Sequence, residues 1–155
     1  ENVSEKASYY LAKSLLKNGN SGQAIEEFKK LTNAKNTEYA SEAQYTLAEI
    51  QYNNIQLDEA EKIILEITSN PSSEFWLAKA FILWADIFKE RGNKIQAKQT
   101  LQSIIDNYEG DQSIIDEAQN KLNEINNKQS QEQKLQEQKL QEQKEAVDEI
   151  IIENK

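Results

Sequence analysis

With 155 residues and a net charge of −9, from 27 acidic and 18 basic side chains, the chain has room for one domain, or one domain and an appendage. No cluster of Lys or Arg reverses that charge locally, so nucleic acid is not an expected partner. The absence of histidine and cysteine removes the commonest general base and metal ligand, and with them disulfides and thiolate metal sites.

No apolar run reaches the ~18–20 residues of a membrane span. The chain opens on Glu1 rather than Met. Processing, or excision from a longer protein, is therefore expected, and a missing leader does not argue for the cytoplasm.

A single proline (Pro71) and four glycines punctuate the chain, which is a helical composition. The first predicted helix covers Glu5 to Lys17, with Ala7, Tyr10, Leu11 and Leu15 on one apolar face. Asn18 to Gly22 ends it, with Gly19 set for a left-handed cap. Ser21 is the expected N-cap of a second helix carrying Ala24, Ile25, Phe28 and Leu31. The third helix is patterned by Tyr39, Ala43, Leu47, Ala48, Ile50 and Tyr52 and breaks at Asn53-Asn54. Asp58 is the expected cap of the fourth, which carries Ala60, Ile63, Ile64 and Ile67. Asn70-Pro71-Ser72-Ser73 is the strongest linker signal. The fifth helix carries Trp76, Leu77, Ala80, Phe81, Trp84, Ala85 and Phe88. After Arg91-Gly92-Asn93 the sixth carries Ala97, Leu101, Ile104 and Ile105, closed by Tyr108 to Asp111.

One phrase recurs through these elements. Ala7 to Ala12 reads ASYYLA, Ala43 to Ala48 reads AQYTLA and Ala80 to Ala85 reads AFILWA, at steps of 36 and 37 residues. A further alanine follows each copy at a constant distance: Ala24, Ala60 and Ala97. A fixed step of this size with helical spacing inside it predicts stacked helix pairs. The alternative is a plain helical bundle whose alanines fall in phase by chance. Residues 113 to 126, with Ile114, Ala118, Leu122 and Ile125, start a fourth helix of the first type. Asn123 replaces its small residue and no partner helix follows, so this helix is expected to cap the stack.

From Asn126 the composition changes, and Ser130 to Lys144 is a low-complexity five-residue repeat of the form Gln-Glu-Gln-Lys-Leu. Its residues are good helix formers. Leucines five apart rotate by about 140° on a helix, which is not a heptad seam. The tail is expected to extend the cap helix as a rod. Val147, Ile150, Ile151 and Ile152 form an apolar cluster that packs back on the repeats, pairs with a second chain, or lies exposed.

The phased residues Leu11-Ala12, Ala24 and Phe28, then Leu47-Ala48, Ala60 and Ile64, then Trp84-Ala85, Ala97 and Leu101, resemble the tetratricopeptide repeat family. The resemblance covers Glu5 to about Asn107. It departs from the family in the long step, in Ile55 where repeats one and three have Gly, and in the lack of a clean terminal proline. Repeats of this length are similar to those of bacterial envelope and secretion-associated members, which implies a bacterial origin. The implied fold is all-α, a right-handed α-solenoid of helix-turn-helix repeats with a capping helix and a helical C-terminal extension. The segments are then 1–36, 37–72 and 73–110 for the repeats, 111–126 for the cap and 127–155 for the tail. The implied function is a non-catalytic scaffold that holds a protein or peptide partner in its concave groove. The alternative is a structural spacer that self-associates through the tail into a homo-oligomer.

Counted from the small alanines, the family's groove positions are Tyr9, Lys13, Leu16 and Lys17; Tyr45, Glu49, Tyr52 and Asn53; and Ile82, Asp86, Lys89 and Glu90. Tyr9, Tyr45 and Ile82 are expected to form an apolar ladder beside Tyr52. The alternative is that the tyrosines complete packing between repeats. The mixed charges Lys13, Glu49 and Asp86 suggest a partner segment with some basic character. Family members that clamp a peptide carboxylate use Lys and Asn at positions that here hold Tyr9 and Lys13, so that function is not expected.

Chemistry-bearing motifs are missing. Gly19 and Gly22 lack the Lys-Ser/Thr of a phosphate cradle. Asp106, Glu109, Asp111 and Asp116 surround Gly110 without the spacing of a calcium loop, and read as an exposed acidic loop. Adjacent carboxylates such as Glu26-Glu27 and Asp58-Glu59 do not face one another on a helix. No cofactor, metal site or catalytic residue is expected.

Overall fold

The computed structural model describes the backbone of residues 3–153, and side chains from Ser4 to Lys144. Among the described residues there are seven helices and no strand: α1 (Val3–Lys17), α2 (Ser21–Leu31), α3 (Thr37–Asn53), α4 (Leu57–Ser69), α5 (Glu74–Glu90), α6 (Lys94–Asn107) and α7 (Gln112–Glu153). The fold is an all-α solenoid of helix-turn-helix pairs, α1 with α2, α3 with α4 and α5 with α6. The chain divides into two compact units, Glu1–Gln119 and Asn120–Lys155.

Each pair of the first unit turns in the same way. The amide of Asn20 donates to the carbonyl of Leu15, and that of Gly19 to Leu16. The same two bonds recur as Gln56 to Gln51 and Ile55 to Tyr52, then as Asn93 to Phe88 and Gly92 to Lys89. This is the Schellman arrangement, which satisfies the last carbonyls of a helix and requires a left-handed residue after it. Gly19 and Gly92 supply φ of 78° and 77°, and Ile55 adopts 62° at the matching place. A β-branched residue there is strained, because Cβ crowds the carbonyl.

Small side chains let the pairs close. Ala12, Ala24, Ala48, Ala60 and Ala97 are fully buried, and Ala85 is 1% exposed. Around the first crossing, Ala12 and Ala24 join Phe28, Leu31, Ala43, Leu47 and Ile50 in one core cluster. Around the second, Ala48 and Ala60 join Tyr45, Ile64, Ile67, Ala80, Leu83 and Ile87. Each cluster therefore contains a helix of the next repeat. Phe28, fully buried, contributes roughly 1.5–3 kcal/mol by leaving water.

Arg91, just past α5, ties the third repeat to the second. Its Nη1 donates to Glu61 Oε2 at 2.6 Å and its Nη2 to Asp58 Oδ1 at 2.5 Å, while Trp84 Nε1 donates to Glu61 Oε1 at 2.8 Å. The Arg91 hydrogen bond holds the Glu61 carboxyl below its ordinary range, against the opposing effect of burial, and Trp84 adds to the lowering.

Three local expectations are corrected. Asn20, not Ser21, precedes α2, and Gln56, not Asp58, precedes α4, because the Schellman turn carries the chain directly into the next helix and leaves no room for a longer cap. The apolar face of α1 also differs. Ala7, Tyr10 and Leu11 are exposed, whereas their register mates Ala43, Leu47 and Ala80 are buried against the preceding repeat. Among the described residues no helix pair covers that face of α1.

In the first unit, α7 buries Ile114 and Ala118, and Glu117 pairs with Lys79 of α5 at 2.8 Å. In the second unit, Leu122 and Ile125 are buried and the side chains from Ser130 to Lys144 are exposed. The helix runs unbroken through the change of composition at Asn126. Side chains of the Val147, Ile150, Ile151 and Ile152 cluster lie outside the described residues.

The strain at Ile55 is removable, since its side chain is 84% exposed and supports no core contact. Ile55→Gly is expected to stabilise the protein by about 0.5–1.5 kcal/mol, the αL penalty less the added freedom of the unfolded chain. Urea unfolding measures it; a loss of stability contradicts the strain.

Candidate groove between the repeats

The expected tyrosine ladder is replaced by two equivalent aromatic pairs, one at each junction between repeats. Tyr9 of α1 stacks on Tyr39 of α3 with centroids 4.4 Å apart, and Tyr45 of α3 meets Trp76 of α5 at 5.2 Å. Tyr9 and Tyr45 share one register position, 36 residues apart, and Tyr39 and Trp76 share another, 37 apart. Ile82, expected in the ladder, is 2% exposed and belongs to the core. Ile82 shares this buried state with its α5 neighbours Ala78 and Ala85.

A lysine and a glutamate stand at matching register positions beside each aromatic pair, exchanged between the two helices, and at the first junction they form an ion pair. At the first junction Lys13 lies on α1 and Glu42 on α3. The Lys13 ammonium donates to Glu42 Oε1 at 2.8 Å and to the Tyr9 hydroxyl at 2.9 Å, and Tyr9 donates to Glu42 Oε2 at 2.6 Å. At the second, register places Glu49 on α3 and Lys79 on α5. Tyr45 donates to Glu49 Oε1 at 3.0 Å, and the Lys79 ammonium lies 5.6 Å from the Tyr45 ring centroid. Lys13 lies over the Tyr9 ring in the same manner, at 5.0 Å. Cations over tyrosine faces are attracted by the ring quadrupole.

These surroundings shift the ionisable groups. Burial raises the Tyr9 hydroxyl, and its bond to Glu42 adds to the rise. Burial also raises Tyr45 well above the ordinary tyrosine value, assisted by the Glu49 carboxylate. The Glu42 hydrogen bond holds Lys13 in its charged form above the ordinary lysine range, with the Tyr9 bond second and partial burial opposing.

Five of the expected groove residues line one cleft: Lys13, Leu16, Lys17, Tyr45 and Glu49. Phe28, Glu42, Thr46 and Trp76 complete it, and its volume is about 340 Å³. Tyr9 stands beside the cleft through its bonds to Lys13 and Glu42. The other expected residues lie apart from it. Tyr52 is half-buried against the second core cluster, and burial followed by the Asp86 and Glu90 carboxylates raises its hydroxyl. Lys89 donates to Asp86 Oδ1 at 3.4 Å, and Asn53 is exposed. Sequence reasoning did not assign Glu42, Thr46, Phe28 or Trp76 to the groove. The available signal was the shared register of Trp76 and Tyr39, which marks a position that meets the tyrosine of the repeat before.

Residues 6–34 and 75–110 match the family model for the tetratricopeptide repeat. These two matches support assignment of the chain to the tetratricopeptide repeat family. The two matched segments hold the first and third helix pairs. Between them, α3 and α4 carry the same turn bonds and the same buried alanines. No curated protein matches the chain. Tetratricopeptide repeats commonly mediate protein–protein interaction and are generally non-catalytic. Among the described residues no helix is long and apolar enough to cross a membrane.

The Lys13–Glu42 pair is half-open to water, so its coupling is expected to be modest. A double-mutant cycle of Lys13→Met and Glu42→Gln should give about 0.5–1 kcal/mol at low salt and about pH 7. Because Lys13 is held above the ordinary lysine value of 10.5, the contribution from its charge is present below that value and fades only as pH rises beyond it. Coupling that already vanishes near pH 9.5 contradicts the assignment.

Proposed function

We propose that the face built by the first helix of each repeat binds a segment of a partner protein and has no catalytic role, with the cleft at Tyr45 and Trp76 as its anchor. The observation that carries this reading is convergence. Lys13, Leu16 and Lys17 from the first repeat meet Tyr45 and Glu49 from the second and Trp76 from the third around one concave space of about 340 Å³. A cleft with an aromatic wall and a few convergent polar groups suits an anchoring side chain. The wall is rigid, because Tyr45 and Trp76 hold one another and Trp76 Nε1 donates to Glu38 Oε1 at 2.6 Å. Both charge signs line the cleft, Lys13 and Lys17 against Glu42 and Glu49. A mixed-charge extended or helical segment complements it, and its basic residues meet the two carboxylates. Asp86, Lys89 and Glu90 extend the same face along α5.

A second reading, self-association through the tail, is favoured by one feature of α7: Leu135 and Leu140 are more than half exposed. Exposed leucines on a polar helix gain from burial against another chain.

The test is affinity capture from native lysate and envelope fractions with wild type and a Leu16→Gln, Lys17→Glu variant. These positions touch the cleft and spare the Tyr45–Trp76 and Lys13–Glu42 contacts. A protein held by wild type and lost with a variant of unchanged melting temperature is the expected result, with affinity that falls as salt is added. Capture that survives the change contradicts the groove. Loss on Leu135→Lys, Leu140→Lys instead favours the tail.

A further inference from the structure

A larger cleft, about 630 Å³, opens between the first turns of α5 and the last turns of α6, and none of the groove residues lines it. Leu77, Phe81 and Ile104 give it an apolar floor. Its two charged lining residues are both acidic, Glu74 and Glu109. The two helices meet at Ala85 and Ala97, both essentially without exposure, and inclined helices that touch at one point part on either side of it.

Register explains why the gap is open in this repeat. Ala78 stands where the first repeat has Glu5, 36 and then 37 residues earlier. There the Glu5 carboxylate crosses the hairpin and accepts hydrogen bonds from the amides of Lys35 and Asn36, at 3.0 and 3.4 Å. An alanine side chain cannot make that bridge. Thr100 likewise stands where the second repeat has Ile63, which packs against both core clusters. Tyr108 walls the far end and is folded across Gly110 so closely that a Cβ on Gly110 would collide with the ring. The hydroxyl of Tyr108 accepts a hydrogen bond from the Asp111 amide at 3.2 Å, which fixes the ring in place.

We propose that this cleft is a second binding site, for a partner protein segment that presents a bulky apolar side chain next to a lysine or arginine. Its volume falls in the range of roughly 300–1,000 Å³ typical of ligand sites. The apolar floor rewards burial of the partner's apolar side chain. The rim selects by charge: Glu74 and Glu109 attract a cation, no basic side chain lines the cleft, and the net charge of −9 discourages an acidic segment. A site of this kind lets the third repeat hold a segment while the groove remains available.

The two tryptophans separate the two sites. Trp76 belongs to the groove cleft, whereas Trp84 stacks on Phe81 of this one, with centroids 6.1 Å apart. A random peptide library displayed on phage would be panned against the full chain. The enriched peptides would then be titrated against a Trp76→Phe variant, in which Trp84 is the remaining tryptophan reporter. The expected peptides pair a large apolar residue with Lys or Arg and change Trp84 fluorescence. They lose about tenfold or more in affinity with Ser103→Phe, which fills the cleft from an exposed position, and with the Glu74→Gln, Glu109→Gln double variant. Their binding is retained by the Leu16→Gln, Lys17→Glu groove variant, so the outcome here is independent of the groove. Circular dichroism melts of the variants establish that each is folded. The proposal is overturned if no enriched peptide depends on an open cleft, or if the cleft-dependent peptides are acidic or uncharged.

Discussion

The close contact of alanine with its neighbours at each helix crossing is the constraint from which the rest of this structure follows. Ala12 with Ala24, Ala48 with Ala60 and Ala85 with Ala97 are buried to within 1%. A methyl group at each crossing lets two backbones approach, and the large residues around it then interlock. Phe28, Ile64 and Leu101 stand four residues after the second alanine of each pair and are all essentially buried. Because the hairpins close in the same way, every repeat presents the same faces at the same places. The grooves, junctions and clefts are consequences of that repetition.

The junctions illustrate the point. A tyrosine of one repeat meets an aromatic residue of the next at both, and a lysine and a glutamate flank each contact with their positions exchanged. Reversing the sign along the face keeps it from becoming a uniform field. The same repetition makes departures informative. Glu5 spans the hairpin of the first repeat, and Ala78 in the same register leaves the third open. The strained Ile55 occupies a glycine's place without disturbing the turn.

Much of the fold was legible in the sequence, because it rests on residues whose spacing is constrained by close packing. The alanine phrase, the 36- and 37-residue steps and Gly19 all mark positions that tolerate few alternatives. What was hidden depended on neighbours. Tyr10 and Leu11 match the buried pattern of later repeats, yet burial at those positions comes from a preceding repeat. Ser21 and Asp58 have capping side chains, but the six-residue bonding of the Schellman turn had already fixed where α2 and α4 begin. Five groove residues fall together around one cleft, since register alone places them on adjacent helices. The ladder of Tyr9, Tyr45 and Ile82 does not form, because a cross-repeat contact joins different register positions and so is not visible in a column of equivalent ones. Trp76 came to the cleft that way.

The most direct measurement is the stability of Ala48→Leu beside Ala7→Leu, by chemical denaturation. Both replace an alanine of the recurring phrase, but Ala48 sits fully buried at a crossing and Ala7 is exposed. The extra carbons at residue 48 should force α3 and α4 apart and cost about 1–3 kcal/mol, while those at residue 7 should change stability by less than about 0.5 kcal/mol. An Ala48→Leu variant as stable as wild type would contradict the crossing and, with it, the account of how the repeats are built.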